Sequence, residues 1–165
     1  MNNCDFVKSY YNNPIKSKNN GNLLVEYGAL YSYGHHFPIA YLRDKSIVFN
    51  HKKYSITSSK HQTLARNCAP RNLVEVFLPT ELFQTFIAIN KAGLNYDHNT
   101  TIRFCDDFRI FYNEIKEHEK KATAKKEYWK EILQGLLFFM REEGFEHKVF
   151  GFEDVLADQI LNSLT

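Results

Sequence analysis

The sequence predicts an α+β protein: a small antiparallel β-sheet over residues 22–78 with a packed helix, followed by a mainly helical C-terminal half. Short runs rich in β-branched and aromatic residues alternate with polar triplets between residues 37 and 57, which is typical of strands and turns. A cluster of Ser, Lys, His and Gln then indicates the start of a helix. Beyond residue 100 the apolar residues recur at helical spacing.

The overall composition limits the classes of protein to which this chain can belong. A chain of 165 residues with 44% hydrophobic residues is long enough to bury a core, and its 14 Phe and 10 Tyr predict an aromatic-rich one. The cysteines are too few and too scattered for a disulfide framework or a metal knuckle, so we expect reduced thiols. A formal charge of +2 does not by itself imply a nucleic-acid partner.

No apolar run in the sequence is long enough to span a membrane. The first residues of the sequence are polar and lack the apolar core of a signal peptide. We therefore expect a cytoplasmic protein. Three regions are predicted: a flexible arm over residues 1–21, an α+β core over residues 22–98, and a helical part over residues 99–165 that packs on the core. The lysines of the arm fit either a solvated tail or an electrostatic anchor.

Within the core, a β-meander leads into a helix. The predicted strands are residues 23–27, 38–42, 46–49, 54–56 and 73–78, and residues 29–33 are predicted as a second strand or a bend. Residues 38–42, 46–49 and 54–56 form the meander. The helix, residues 60–68, begins with a predicted capping box. In it the Ser59 side chain accepts from the Gln62 amide, and the Gln62 side chain returns to the Ser59 amide.

Further helices are predicted after the sheet. One begins at Pro79 and Thr80 and stops at Gly93. Residues 102–112 have helical spacing but also many β-formers, so both structures remain open. The clearest helix covers residues 124–143 and ends at Gly144, and a last one covers residues 153–164. The apolar face predicted for residues 124–143 consists of Tyr128, Trp129, Ile132, Leu133, Leu136, Leu137 and Met140.

The segment Tyr54-Ser55-Ile56-Thr57-Ser58-Ser59-Lys60-His61-Gln62 resembles a motif of small, uncharacterised bacteriophage proteins. In that family a strand pair leads into a Tyr-Ser-x-Thr-Thr-Ser-Lys-His pattern, and Ser58 stands here in place of the second Thr. The resemblance covers residues 21–68 and brings no catalytic residues. It implies a phage or mobile-element origin and expression in the cytoplasm of a bacterial host.

Enzyme chemistry has little support in the sequence. The chain lacks a nucleophile elbow, a phosphate-cradling glycine loop and a His-Glu-x-x-His metal pair. His61 and Cys68 could share a helix face, but two turns, about 10 Å, is too far for proton transfer. Asp106 with Asp107 and Glu114 could hold a hard cation, although Asp106 suits a helix cap better. We expect no catalytic residue, no metal and no cofactor.

The predicted binding site lies where the chain enters the helix. Free amides of a first helical turn can hold an anion, and a lysine there is disfavoured unless an anion is usually bound. Lysines and tyrosines interleave in the same unit, as in surfaces that contact phosphates and stack on bases. The predicted binding residues are Ser58, Ser59, Lys60, His61, Lys52, Lys53 and Tyr54.

These features predict a phage-encoded, non-enzymatic binding protein that acts on nucleic acid or on the nucleic-acid machinery of the host. A protein-binding inhibitor of a host defence or replication enzyme is the alternative, since aromatic-rich surfaces suit protein interfaces. A His-dependent hydrolase or nuclease is the second alternative. The site could also be an ordinary capped helix with a fringe of lysines. We expect no membrane partner, and the sequence leaves the oligomeric state open.

Overall fold

The computed structural model describes residues 1–92 and 97–150, with only the backbone of residue 150. The chain forms two compact units, Met1–Gly93 and Leu94–Thr165. The first holds a six-stranded mixed sheet and the described part of the second is helical, so the predicted α+β class is confirmed. The two units divide between residues 93 and 94, whereas the predicted division followed residue 98.

A helix stands where a flexible arm was predicted. This helix, α1, spans Asn3–Asn12, and the Asn2 side chain caps it by accepting from the Asp5 amide at 2.8 Å. Its buried residues are Phe6, Val7 and Tyr10. The predicted arm was wrong because these three residues, at i, i+1 and i+4, form an apolar stripe inside a polar segment.

The second half of the predicted arm also belongs to the fold. Lys18–Asn19 form β1, which pairs antiparallel with β2, Leu23–Glu26. The Lys18 ammonium donates to the Ser9 hydroxyl at 2.5 Å and lies 5.5 Å from the centre of the Phe6 ring. Partial burial lowers the pKa of Lys18. This lysine is therefore engaged within its own unit and is not a free anchor.

The sheet is mixed, whereas a purely antiparallel one was predicted. Its remaining strands are β3 (Ala29–Ser32), β4 (Pro38–Leu42), β5 (Ser46–Asn50) and β6 (Val74–Leu78). The strands lie in chain order, and the first five pair antiparallel. β6 pairs parallel to β5 because a helix, α2 (Ile56–Asn67), connects the two and returns the chain to the same end of the sheet.

The register of the β2–β3 hairpin is set by two residues with positive φ. Tyr27 (φ +51°) and Gly28 (φ +82°) connect β2 to β3 between the paired residues Glu26 and Ala29. Two such residues give the two-residue loop whose twist matches that of the strands.

The Tyr10 hydroxyl attaches α1 to the sheet. It donates to the Gly28 carbonyl at 2.8 Å and accepts from the Leu42 amide at 3.0 Å. The side chain is fully buried, and this burial raises the pKa of Tyr10 well above its usual value. α1 is therefore part of the core of its unit.

Helices cover both faces of the sheet. Ala40 and Phe49 lie in one hydrophobic cluster with residues of α1 and α2. Tyr41, the next residue along β4, points to the other face and meets Phe86 edge-on at 5.4 Å. Phe86 belongs to α3, which spans Thr80–Ala92. β5 is buried at every position because helices lie on both of its sides.

The described part of the second unit consists of three helices. They are α4 (His98–Lys121), α5 (Lys126–Glu143) and α6 (Glu146–Phe150). Residues 102–112, which the sequence left open, are helical. Asp97 caps α4, so the cap predicted at Asp106 was wrong. Gly144, with φ +77°, ends α5 as predicted, since glycine takes this left-handed conformation at little cost.

A cluster of phenylalanine rings forms the core of this unit. Phe108 stacks on Phe139 at 5.9 Å and meets Phe145 edge-on at 5.2 Å. The buried face of α5 begins at Ile132, one turn later than predicted. Tyr128 is 48% exposed, and Trp129 is only partly buried.

Two predicted features lie outside the residues that the structure describes. They are the helix stop at Gly93 and the last helix, residues 153–164. Within residues 1–92 and 97–150, no helix is long and apolar enough to cross a membrane.

We expect Tyr10→Phe to lower the free energy of unfolding by about 1 to 3 kcal/mol, because the change leaves the Gly28 carbonyl and the Leu42 amide without their buried partner. Urea unfolding measures this. Tyr54→Phe is the control, since Tyr54 is 79% exposed and should tolerate the loss of its hydroxyl. Equal stability of the two variants would contradict the docking of α1.

In the second unit, we expect Phe108→Ala to lower the free energy of unfolding by about 3 to 5 kcal/mol, because it opens a cavity among the packed rings. Fluorescence of Trp129, the single Trp of the chain, reports unfolding of this unit. Ile110→Ala is the control, since Ile110 is 58% exposed. A small effect of Phe108→Ala would contradict this core.

Candidate functional site

The loop between β5 and α2 is held by side-chain hydrogen bonds from both of its ends. The Asn50 side chain donates to the Pro38 carbonyl at 2.9 Å and accepts from the Lys52 amide at 2.8 Å. From α2, the Gln62 amide group donates to the carbonyls of Asn50 at 3.2 Å and Lys52 at 2.8 Å. Gln62 therefore stabilises the loop and does not serve the capping box predicted for it.

The helix begins four residues earlier than predicted. Ser55 is its cap, with a side-chain oxygen that accepts from the Ser58 amide at 3.1 Å. The Ser59 amide already donates to the Ser55 carbonyl at 2.9 Å, inside the helix. The predicted capping box at Ser59 and the predicted strand over residues 54–56 were therefore wrong. Several Ser and Thr residues in succession offer more than one cap, and spacing alone did not select between them.

This shift changes the electrostatic argument for the site. Lys60 is the fifth residue of α2 and lies beyond the first turn, so it does not oppose the positive end of the helix dipole. The first turn carries no acidic residue. Because Lys60 lies beyond the first turn, its position in the helix is explained without a bound anion.

α2 separates the predicted binding residues onto two faces. Ser58 and His61 point inward and are only 1% and 4% exposed. Ser59 and Lys60 lie on the outer face. Lys52 is exposed on the preceding loop but does not line the same groove. The seven predicted residues therefore do not form one surface.

The inner face of α2 carries a polar network that the sequence did not reveal. His61 Nδ1 lies 2.7 Å from Ser32 Oγ, which lies 3.2 Å from Ser58 Oγ. The Ser55 hydroxyl donates to Ser58 Oγ at 3.1 Å. The Tyr33 ring covers the His61 ring, with 5.3 Å between their centres. Ser32 is remote in sequence and lies in an apolar run, so no local pattern pairs it with His61.

The partners of His61 determine which of its nitrogens carries the proton. Asn20 Oδ1 accepts from the amides of Asn22 at 3.0 Å and Leu23 at 2.8 Å, so its Nδ2 donates to Asn3 Oδ1 at 3.0 Å. Asn3 therefore turns its own Nδ2 towards His61 Nε2, 3.4 Å away. Nε2 is then the acceptor and Nδ1–H donates to the oxygen of Ser32. In this tautomer His61 is a donor to Ser32 and not its base.

The outer face of α2 borders an open groove of about 590 Å³. Its lining residues are Lys53, Tyr54, Ser55, Ile56, Ser59, Lys60 and Thr63. Tyr54 is 79% exposed and its ring is supported by Phe37, with 5.7 Å between the ring centres. Ile56 is 81% exposed. The lining contains no acidic residue, and within the described part of the chain neither Lys53 nor Lys60 forms an ion pair.

A second open groove, of about 520 Å³, lies along α4 and differs in its charge. It is lined by Ile110, Asn113, Glu114, Glu117, His118 and Lys121. Lys121 Nζ lies 3.9 Å from Glu117, and Lys126 Nζ lies 4.0 Å from Glu119. Lys121, the lysine that lines this groove, has an acidic partner, in contrast to Lys53 and Lys60 in the groove at α2.

The other histidines and acids do not gather around a metal. The His35 ring is hydrogen-bonded to the Glu26 carboxylate, and the neighbouring His36 carbonyl accepts from Gln84 at 2.6 Å. Asp106 pairs with Arg109 at 3.2 Å. Among the described residues, no three His, Cys, Asp or Glu side chains are placed to hold a metal ion.

We expect Ser55→Ala to lower the free energy of unfolding by about 0.5 to 2 kcal/mol, because it removes the oxygen that accepts from the Ser58 amide. Thermal or urea unfolding measures this. Ser59→Ala, one turn later on the outer face, should be close to neutral. The opposite ranking of the two variants would mean that the helix is capped at Ser59.

Known proteins give no guide to this site. No family model, no curated protein and no solved structure matches the chain.

Proposed function

We propose that this protein is a non-enzymatic binding protein that takes single-stranded nucleic acid in the groove at the start of α2. The observation that carries the proposal is the composition of that groove. An exposed aromatic ring lies beside two lysines that have no ion-pair partner in the described part of the chain, and no acidic residue lines the groove.

Each of these features matches a need of the ligand. A base can stack on the exposed ring of Tyr54, which Phe37 supports from behind. Lys53 and Lys60 can neutralise phosphates on either side of that base. The amide of Ile56, a residue that lines the groove, precedes the first hydrogen bonds within α2, so it adds a donor there. Stacking and phosphate contacts together give binding that depends little on sequence.

The resemblance of residues 54–62 to a motif of small bacteriophage proteins supports a proposal about the biological setting. We propose a phage or mobile-element origin and action in the cytoplasm of a bacterial host, on nucleic acid or on the proteins that process it. The groove residues Tyr54, Ser55, Ser59 and Lys60 lie within that motif.

One observation favours a protein partner as the second candidate. Ile56 lines the groove and is 81% exposed, and a base needs no aliphatic side chain there. Exposed apolar and aromatic side chains next to each other are typical of the centre of a protein interface. In this second proposal the protein is an inhibitor that covers a host defence or replication enzyme.

Fluorescence anisotropy with a labelled single strand of about 16 nucleotides tests the first proposal. We expect Tyr54→Ala to weaken binding about tenfold, the equivalent of about 1.4 kcal/mol. The double variant Lys53→Ala with Lys60→Ala should reduce the slope of log K against log salt by about 1.4, since each phosphate contact on a single strand contributes about 0.7.

Matched controls separate the groove from general charge. Lys116→Ala with Lys120→Ala removes the same charge from the exposed surface of α4 and should leave the salt slope nearly unchanged. Wild-type protein that does not bind single strands at low salt would overturn the first proposal. The second is tested by Ile56→Ala against Ile15→Ala, since these isoleucines are 81% and 82% exposed. The second proposal would be supported if a co-purifying host protein is lost with Ile56→Ala but not with Ile15→Ala.

A further inference from the structure

The hydrogen-bond network around His61 suits a neutral ring and conflicts with a charged one. A second ring proton, on Nε2, would point at Asn3 Nδ2, which is itself a donor, at 3.4 Å. Asn3 cannot present its oxygen instead without losing its bond to Asn20. Asn20 cannot turn in response, because two backbone amides hold its oxygen. The conflict is relieved when Asn3 moves away.

Displacement of Asn3 would expose the His61 ring to water. His61 is 4% exposed, and Asn3, in the first turn of α1, and the Tyr33 ring both contact it. Asn3 is the first residue of α1, and the end turn of a helix opens at a lower free-energy cost than its interior. The rest of α1 is attached separately by the buried Tyr10 hydroxyl and by Tyr11, whose hydroxyl donates to the Ala65 carbonyl at 2.6 Å. The first turn can therefore open while the remainder of the helix stays in place.

We propose that His61 is an acid-sensitive latch for α1: its neutral ring holds the first turn of α1 against α2, and its charged ring releases that turn. The latch is inferred from the contacts of His61 and needs no assumption about what the groove binds. It gives the protein two states of its N-terminal segment, selected by pH.

The charged surroundings of His61 do not oppose this behaviour. The titratable groups on the elements around it are Cys4, Asp5, Lys8, Tyr10 and Tyr11 of α1, Tyr31 of β3, Tyr33, His35 and His36 after β3, and Lys60 and Arg66 of α2. Burial is the sole cause that shifts the pKa of His61, and it lowers that pKa from the usual 6.5. Among the described residues, no charged group contributes to that shift.

The direction in which the pKa of His61 is shifted determines how the stability of the closed turn depends on pH. Because the pKa of His61 is lower in the folded than in the unfolded protein, the unfolded or opened state binds the proton more tightly. The stabilisation by neutral His61 is fully present above about pH 6.5 and is lost as the pH falls through the folded-state pKa. Acid therefore favours the released turn.

Amide hydrogen exchange on the full chain tests the proposal. The amide of Phe6 donates to the Asn2 carbonyl at 3.0 Å in the first turn of α1, so its protection factor reports whether that turn is formed. Between about pH 7.5 and about pH 4.5 we expect this protection factor to fall at least tenfold relative to the amides of β5. In His61→Gln the fall should be absent, because the Gln oxygen can still accept from Asn3 and does not take up a proton.

Asn3→Asp is a second test variant, and it should shift the pKa of His61 in the direction opposite to the shift caused by burial. Its carboxylate can accept from both Asn20 Nδ2 and a protonated His61 Nε2, so it should raise the pKa of His61 and keep the turn protected in acid. Proton NMR of the His61 ring measures that pKa. Equal loss of protection in wild type, His61→Gln and Asn3→Asp, or no loss in wild type, would overturn the proposal. If His61→Gln does not fold, the wild type and Asn3→Asp decide the question.

Discussion

The buried side chain of Asn50 joins three parts of the first unit, and the groove depends on it. It donates to the Pro38 carbonyl at 2.9 Å and accepts from the Thr80 hydroxyl at 3.2 Å, so it connects β4 to the start of α3. Its oxygen also accepts from the Lys52 amide at 2.8 Å, which turns the chain out of the sheet. Asn50 is the last residue of a fully buried strand, so its polar side-chain atoms need hydrogen-bond partners. The hydrogen bonds that it forms fix the path of the loop towards α2. Tyr54 and the cap residue Ser55 are placed by that path.

Much of the fold could be predicted because its signals are local. The runs that became β2 to β6 carry β-branched and aromatic residues between turn residues, and Gly144 ends α5 as glycine commonly does. The helix at the N-terminus was missed although its signals were present: Asn2 and Asp5 form a cap, and Phe6 and Tyr10 lie one turn apart. The surrounding asparagines and lysines outweighed them. The parallel pairing of β6 could not be predicted from local pattern, since it depended on where α2 begins.

The candidate site was predicted only in part, because the phase of α2 cannot be derived from its hydrophobicity. An ordinary amphipathic helix buries its apolar residues, but α2 exposes Ile56 and buries Ser58 and His61. Lys53, Tyr54, Ser59 and Lys60 do line one groove, whereas Ser58, His61 and Lys52 do not. The buried histidine finds its partners in Ser32 and Asn3, which are 29 and 58 residues away in sequence. Contacts of that range leave no trace in the spacing of nearby residues.

The two faces of α2 explain why its sequence departs from an ordinary amphipathic pattern. A polar inner face is stable only when each buried donor and acceptor has a partner, and no buried side-chain nitrogen or oxygen in the described residues lacks one. Ser55 belongs to both faces: its hydroxyl caps the helix and bonds to Ser58 within the network, and it also lines the outer groove. Changes that loosen the inner network therefore act on the residue that fixes the start of the helix. This shared cap is the physical connection between the buried histidine and the groove.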